Sequence, residues 1–134
     1  MHGNRYHGVS PYEERYGFAR AARVRDRIEV AGTAPVPNPG ETLAPDAYGQ
    51  MIRCCEIARE AVEALGGSMV DAVRTRMYIT NPADADEIGR AHKECFGSAD
   101  PASTMVVVGG LLDPAWKVEI EVEVVVSGDT DTAG

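Results

Sequence analysis

The sequence predicts an α+β domain in which one β-sheet carries two helices on a single face, and three patterns carry that prediction. Lys117 to Val126 alternates over ten residues, with Val118, Ile120, Val122, Val124 and Val126 on one side and Lys117, Glu119, Glu121 and Glu123 on the other. That period of two marks a half-buried strand. Val73 to Thr80 alternates as well, setting Val73, Thr75, Met77 and Ile79 against Arg74, Arg76, Tyr78 and Thr80. Between these runs, Ala47, Met51, Cys54, Ala58, Ala61 or Val62 and Leu65 recur at threes and fours, which is a helical spacing.

In chain order, Met1 to Tyr16 has no sustained period and reads as an irregular lead-in. His2 and His7 lie in it, five residues apart, a poor spacing for a metal site. Phe18 to Val24 and Arg27 to Ala31 are short apolar-leaning runs joined through Arg25 and Asp26, a hairpin with Asp26 in the turn. Gly32 to Pro45 contains four prolines and two glycines and is expected to be a long loop. The helix from Asp46 to Leu65 follows, stopped by Gly66-Gly67. After the strand at 73–80, Asn81-Pro82 ends the extended run, and Asp84 to Phe96 forms a shorter helix closed by Gly97. Pro101 to Val108 is the fourth strand, Gly109 to Trp116 a loop, Lys117 to Val126 the fifth strand, and 127–134 a polar tail. Two strands, a helix, a strand, a helix and two strands place both helices over the apolar side of one sheet.

The other sheet side is left uncovered, with Glu29, Arg74, Arg76, Tyr78, Glu119, Glu121 and Glu123 on it. Three glutamates in line repel one another unless they meet solvent, basic partners on neighbouring strands, or a site that uses one of them. Pattern alone leaves this face open between a solvated surface and an oligomer interface.

Bulk properties narrow the function. A chain of 134 residues is expected to form a single domain, 1–134, that buries about two-thirds of its extended surface. Thirteen basic against twenty-one acidic side chains give a net charge of −8, which works against a phosphate backbone, so no nucleic-acid partner is expected. No run of about 18 apolar residues and no basic-then-apolar amino terminus occurs, so neither a membrane span nor a secretory signal is expected, and the location is expected to be cytoplasmic. Cys54, Cys55 and Cys95 fit neither a disulfide framework nor a zinc spacing and read as free thiols; no metal and no cofactor are expected.

Three strings and their order resemble the RidA (YjgF) family of small trimeric proteins: Ile28-Glu29-Val30-Ala31-Gly32-Thr33 with its Pro-rich sequel, Val73-Arg74-Thr75-Arg76-Met77-Tyr78-Ile79, and Pro101-Ala102-Ser103-Thr104-Met105 followed by Lys117-Val118-Glu119-Ile120-Glu121. The resemblance spans roughly 17–126. It implies a chorismate-mutase-like two-layer sandwich, one mixed sheet with two helices on one face. It also implies a homotrimer whose sheets form a central barrel, with small-molecule clefts between subunits, and so favours an interface for the uncovered face.

The activity the resemblance implies is imine or enamine deamination, in which an arginine after Pro-Ala clamps the substrate carboxylate and a glutamate on the last strand positions or activates water. That glutamate falls on Glu119, the catalytic candidate. The arginine falls on Ser103, the family's cleft tyrosine on Phe18, the serine before the loop glycine on Ala31, and an asparagine of the second helix on Gly89. A charge-assisted hydrogen bond is worth about 1.5–3 kcal/mol, so losing a bidentate clamp costs about a hundredfold or more in affinity for a carboxylate. A less charged ligand is expected instead. The candidate ligand-binding residues are Phe18, Arg20, Ala31, Gly32, Gly89, Ser103, Thr104 and Met105. Arg20 is the nearest candidate for a replacement cation, although its spacing reads first as an exposed strand arginine. His92 reads as a helix-surface histidine, a Cys95–His92 nucleophilic pair as weak, and Met105 and Trp116 as packing. The expected function is a RidA-like hydrolase of small imine, enamine or carbonyl compounds. The alternative is a non-catalytic metabolite-binding or protective trimer, and an endoribonuclease or translation inhibitor is the least expected reading.

Overall fold

The computed structural model describes residues 4–127, so His2 and most of the expected polar tail lie outside the described residues. Within them the chain runs β1 (Asn4–Tyr6), α1 (Pro11–Tyr16), β2 (Ala21–Val24), β3 (Arg27–Thr33), α2 (Ala47–Ala64), β4 (Ala72–Ile79), α3 (Ala85–Phe96), β5 (Ala102–Val107) and β6 (Val118–Val125). The strands form one sheet in the order β1-β2-β3-β6-β4-β5. Only the β4–β5 pair is parallel, because α3 carries the chain back across the helix layer between them. The result is the mixed sheet and α+β class expected.

The alternation in β6 is fully expressed: Val118, Ile120, Val122 and Val124 are buried while the glutamates between them are half-buried on the other face. The buried set meets Ile28 and Val30 of β3 and Met77 and Ile79 of β4. Met51, Cys54, Ala58, Ala61 and Val62 of α2 and Ile88, Ala91 and Phe96 of α3 close over them. Small residues along α2 let its backbone approach the sheet closely, and Asp46 caps it by accepting the Gly49 N–H at 3.0 Å.

Four expectations are corrected. The segment before Tyr16 is not irregular, since β1 pairs with β2 and α1 is a short helix capped at its start by Ser10 and at its end by Gly17, whose φ of 78° suits glycine. The first hairpin strand begins at Ala21 rather than Phe18, which leaves Phe18 and Arg20 in the connection from α1. β3 continues through Ala31 and Gly32 to Thr33 by way of a register shift against β6, so the expected loop starts later. Val73 does not face the core: a second register shift between Ala72 and Arg74 buries Ala72 and turns Val73 outward.

Gln50, fully buried on α2, ties down both long loops. Its Nε2 donates to the carbonyls of Ala44 at 3.0 Å and Ala115 at 3.2 Å, and its Oε1 accepts the Lys117 N–H at 2.8 Å. Both amide hydrogens and the carbonyl oxygen of the buried side chain are thereby hydrogen-bonded. These bonds hold the loop ending in Trp116 against the start of β6.

Candidate functional site

Of the three in-line glutamates, two are neutralised by neighbouring strands. Arg76, opposite Glu121 on β4, places Nη1 2.8 Å from Glu123 Oε2 and 4.0 Å from Glu121 Oε1. Tyr78 donates its hydroxyl to Glu121 at 2.7 Å, and Arg27 bridges Glu123 at 3.2 Å and Glu29 at 2.9 Å. Arg76 holds the Glu123 carboxyl below the usual carboxylate range through its hydrogen bond and charge. Glu119 has no such partner: among the described residues it makes no hydrogen bond or ion pair. Burial pushes its pKa up, Arg20 pulls it down, and the charge of Glu121 pushes it up again.

Glu119 opens into a cavity of about 450 Å³ between the end of β3, the loop after it and α1. Phe18, Arg20, Ala31 and Gly32 line that cavity with it, as do Tyr12, Tyr16 and Trp116. Trp116 is buried and meets Tyr12 edge-on with centroids 6.1 Å apart, so the loop anchor and α1 build one aromatic wall. Val36, Ile57 and Leu112 complete an apolar lining around a single free carboxylate.

Arg20 is not the exposed strand arginine expected from its spacing. It is 3% exposed and extends from the connection before β2 into the space between α1 and the end of β3. Its Nε lies 3.1 Å from Glu13 Oε2, and its Nη1 donates to the Gly32 carbonyl at 2.5 Å and to Thr33 Oγ1 at 3.1 Å. The guanidinium also lies over the Phe18 ring, 5.4 Å from its centre. Nη2 has no protein acceptor among the described residues, so its two N–H donors are unengaged, and Arg20 lines the cavity. Glu13 is equally buried and takes the Gly8 N–H at 2.9 Å, which makes the pair a built, charge-compensated unit. Spacing does not reveal Glu13, Tyr12 or Tyr16 as site residues, because they sit on a six-residue helix too short to show a period.

The other candidates lie elsewhere. Ser103, Thr104 and Met105 are on β5, separated from β6 by β4, and Gly89 is on α3 with open space where a side chain would stand. None of the four lines the cavity. Met105 packs against the core, and Thr104 accepts a hydrogen bond from Arg74 Nη2 at 2.8 Å.

His92 corrects the expectation of a surface histidine. Its Nε2 lies 2.7 Å from the hydroxyl of Thr75, which is 1% exposed, and its ring stacks on Phe96 with centroids 5.0 Å apart. Burial lowers its pKa. Among the described residues His92 makes no hydrogen bond to Cys95, and the pKa of Cys95 is lowered chiefly by the neighbouring Cys55 thiol. The thiols are free, as expected, and no group of three or more potential metal ligands occurs among the described residues. No helix among them is long and apolar enough to cross a membrane.

Comparison with known proteins agrees with this architecture. Residues 10–126 match the family model described as endoribonuclease L-PSP. An uncharacterized protein of Streptomyces coelicolor is 40% identical over 114 residues, 85% of each chain. A RutC family protein of Pyrococcus abyssi is 30% identical over 95 residues, 70% of this chain and 75% of its own. The crystal structure of a YjgF/YER057c/UK114 family member from Mycobacterium tuberculosis superposes with a TM-score of 0.84 at 30% identity, covering 92% of this chain and 98% of that one. With the family model spanning residues 10–126 and a solved family member superposing over 92% of the chain, the chain belongs to the endoribonuclease L-PSP family, also called the YjgF/RidA family.

Proposed function

We propose that the Glu119 cavity is a small-molecule site that hydrolyses uncharged or weakly charged imines, enamines or related carbonyl compounds, and that it is completed by a second copy of the chain in a homotrimer. One observation carries the reading: Glu119 is the single glutamate of its row without a partner, and it faces an aromatic cavity with Arg20 Nη2 as the nearby free donor. A desolvated carboxylate poised above its ordinary pKa is what water activation requires. In the proposed reaction Glu119 takes a proton from water as the water oxygen bonds to the C=N carbon, and that proton passes on to the nitrogen, which restores the carboxylate. The resulting carbinolamine expels ammonia or an amine as its hydroxyl proton leaves, giving the carbonyl product.

The charge of the site supports an uncharged substrate. Arg20 is matched by Glu13, while Glu119 and Glu121 add negative charge at the rim, so a carboxylate ligand meets no net positive field. The same acidic rim opposes an RNA backbone, which places an endoribonuclease reading last. The β5 residues Ser103, Thr104 and Met105 and, beside them, Gly89 would face Glu119 only across a subunit boundary, and the half-buried charged sheet face would be covered there. Ser103 in place of the arginine implied by the family resemblance is the feature that favours the second reading, a binding trimer without turnover.

The test compares two imines generated in the assay, the benzaldehyde imine formed by an amine oxidase from benzylamine and the 2-imino acid formed by an amino-acid oxidase. Hydrolysis above background is expected for the first and little for the second. Equal, strong acceleration of the 2-imino acid would overturn the argument from charge, and no acceleration of either would leave binding without turnover.

A further inference from the structure

α2 and α3 lie side by side on the sheet face opposite the row of glutamates, and two contacts fix how they meet. Tyr48 of α2 donates its hydroxyl to Glu94 of α3 at 2.5 Å, and the Arg90 guanidinium sits 4.0 Å from the centre of the Tyr48 ring. Cys55 stands two helical turns on from Tyr48, on the same face of α2. Cys95, the residue after Glu94, packs against the core with its thiol next to that of Cys55. The helix packing thus brings together two thiols that lie far apart in sequence. Neither lines the Glu119 cavity.

The two thiols have unequal surroundings. Cys55 is 1% exposed, whereas Cys95 is partly open to solvent. The Cys55 thiol holds Cys95 below the ordinary thiol range, and Arg59, exposed one turn after Cys55, adds to this against the opposing effect of burial. Cys95 and burial push the Cys55 thiol up. Cys95 is therefore the member of the pair that ionises, and it is also the member that a small solute reaches. Cys54 is set apart, fully buried with its thiol directed at the Val118 carbonyl, 3.9 Å away.

We propose that Cys95 and Cys55 form an oxidant-reactive dithiol, in which Cys95 attacks a hydroperoxide and Cys55 resolves the product into a disulfide that staples α2 to α3. The Cys95 thiolate bonds to one peroxide oxygen as the O–O bond breaks. That oxygen stays on sulfur as a sulfenic acid, and the other leaves and takes a proton from solvent to become water or an alcohol. Cys55 sulfur then bonds to Cys95 sulfur, the S–O bond breaks, and the hydroxide leaves with the Cys55 proton as water. Two thiols are oxidised and one peroxide is reduced, so the step is balanced without a further reactant.

Hydrogen peroxide is the probe, added to the full chain and followed by peptide mapping without reductant. The expected product in the wild type is an intrachain Cys55–Cys95 bond. Cys95→Ser, at a partly open position, should slow thiol loss about tenfold or more, because the ionising thiol is gone. Cys55→Ala should halt the reaction at the Cys95 sulfenic acid, captured by dimedone. Cys54→Ala should form the bond at the wild-type rate. The wild-type map decides the matter even where a buried variant fails to fold. Three intact thiols after peroxide, a bond that uses Cys54 or joins two chains instead, or undiminished reaction in Cys95→Ser overturns the proposal.

Discussion

The carboxylate of Glu119 lies directly against the face of Gly32, so close that a Cβ on that glycine would collide with Oε2. The absence of a side chain on β3 is thus what lets the free carboxylate of β6 sit at the cavity wall. Gly32 also gives its carbonyl to Arg20, which ties the donor and the base of the proposed site to one residue. Gly32→Ala should therefore displace the Glu119 side chain and cut turnover or ligand affinity by tenfold or more, about the loss of one well-placed hydrogen-bonding group. Thermal unfolding should change little, because the carboxylate can swing toward solvent. The measurement is a ligand titration or turnover assay run beside a melting curve.

The Arg20–Glu13 pair makes a different prediction. Both side chains are 4% exposed, so removing the carboxylate leaves a buried guanidinium with an uncompensated charge. Breaking a buried pair from one side costs about 3–5 kcal/mol. Glu13→Gln should lower the urea midpoint accordingly, whereas Glu56→Gln, on a half-exposed surface pair with Arg53, should cost under about 1 kcal/mol.

His92 gives the stability a pH dependence of known sign. Burial lowers its folded-state pKa below the ordinary 6.5, so the unfolded chain takes up the proton first on acidification. Its contribution to stability is complete above pH 6.5 and is lost as pH falls through the lowered folded value. Urea midpoints measured across that window should fall with acid in the wild type and fall less in His92→Gln. Identical profiles would show that His92 is solvated in both states.

The long strands and α2 are legible in the sequence because each buries one face along its whole length, so the period repeats several times. β1 and α1 are not, since three and six residues are too few to show a period; Ser10-Pro11 and Gly17 are the cap signals that mark the helix. The two register shifts at Ala31 and Val73 break alternation where the strands bend, and pairing with β6, a tertiary property, decides them. Glu119 is legible as a candidate site residue through the family resemblance, but its lack of a partner depends on Arg76 and Tyr78 choosing Glu121 and Glu123. Arg20 is misjudged for a related reason: Glu13, seven residues earlier, turns it inward, and nothing in the local pattern announces that pairing.

Replacing Glu119 by Gln keeps the shape of the cavity wall and removes its charge. Because burial raises the Glu119 pKa, holding the carboxylate charged in the folded state costs some stability, and the variant should be slightly more stable than the wild type, by less than about 1 kcal/mol after solvent screening. Imine hydrolysis above background should be lost in Glu119→Gln and kept in Glu121→Gln, while light scattering reports the mass of three chains for both. Full activity in Glu119→Gln, or its dissociation into single chains, would contradict the account and make Glu119 a structural residue of the sheet.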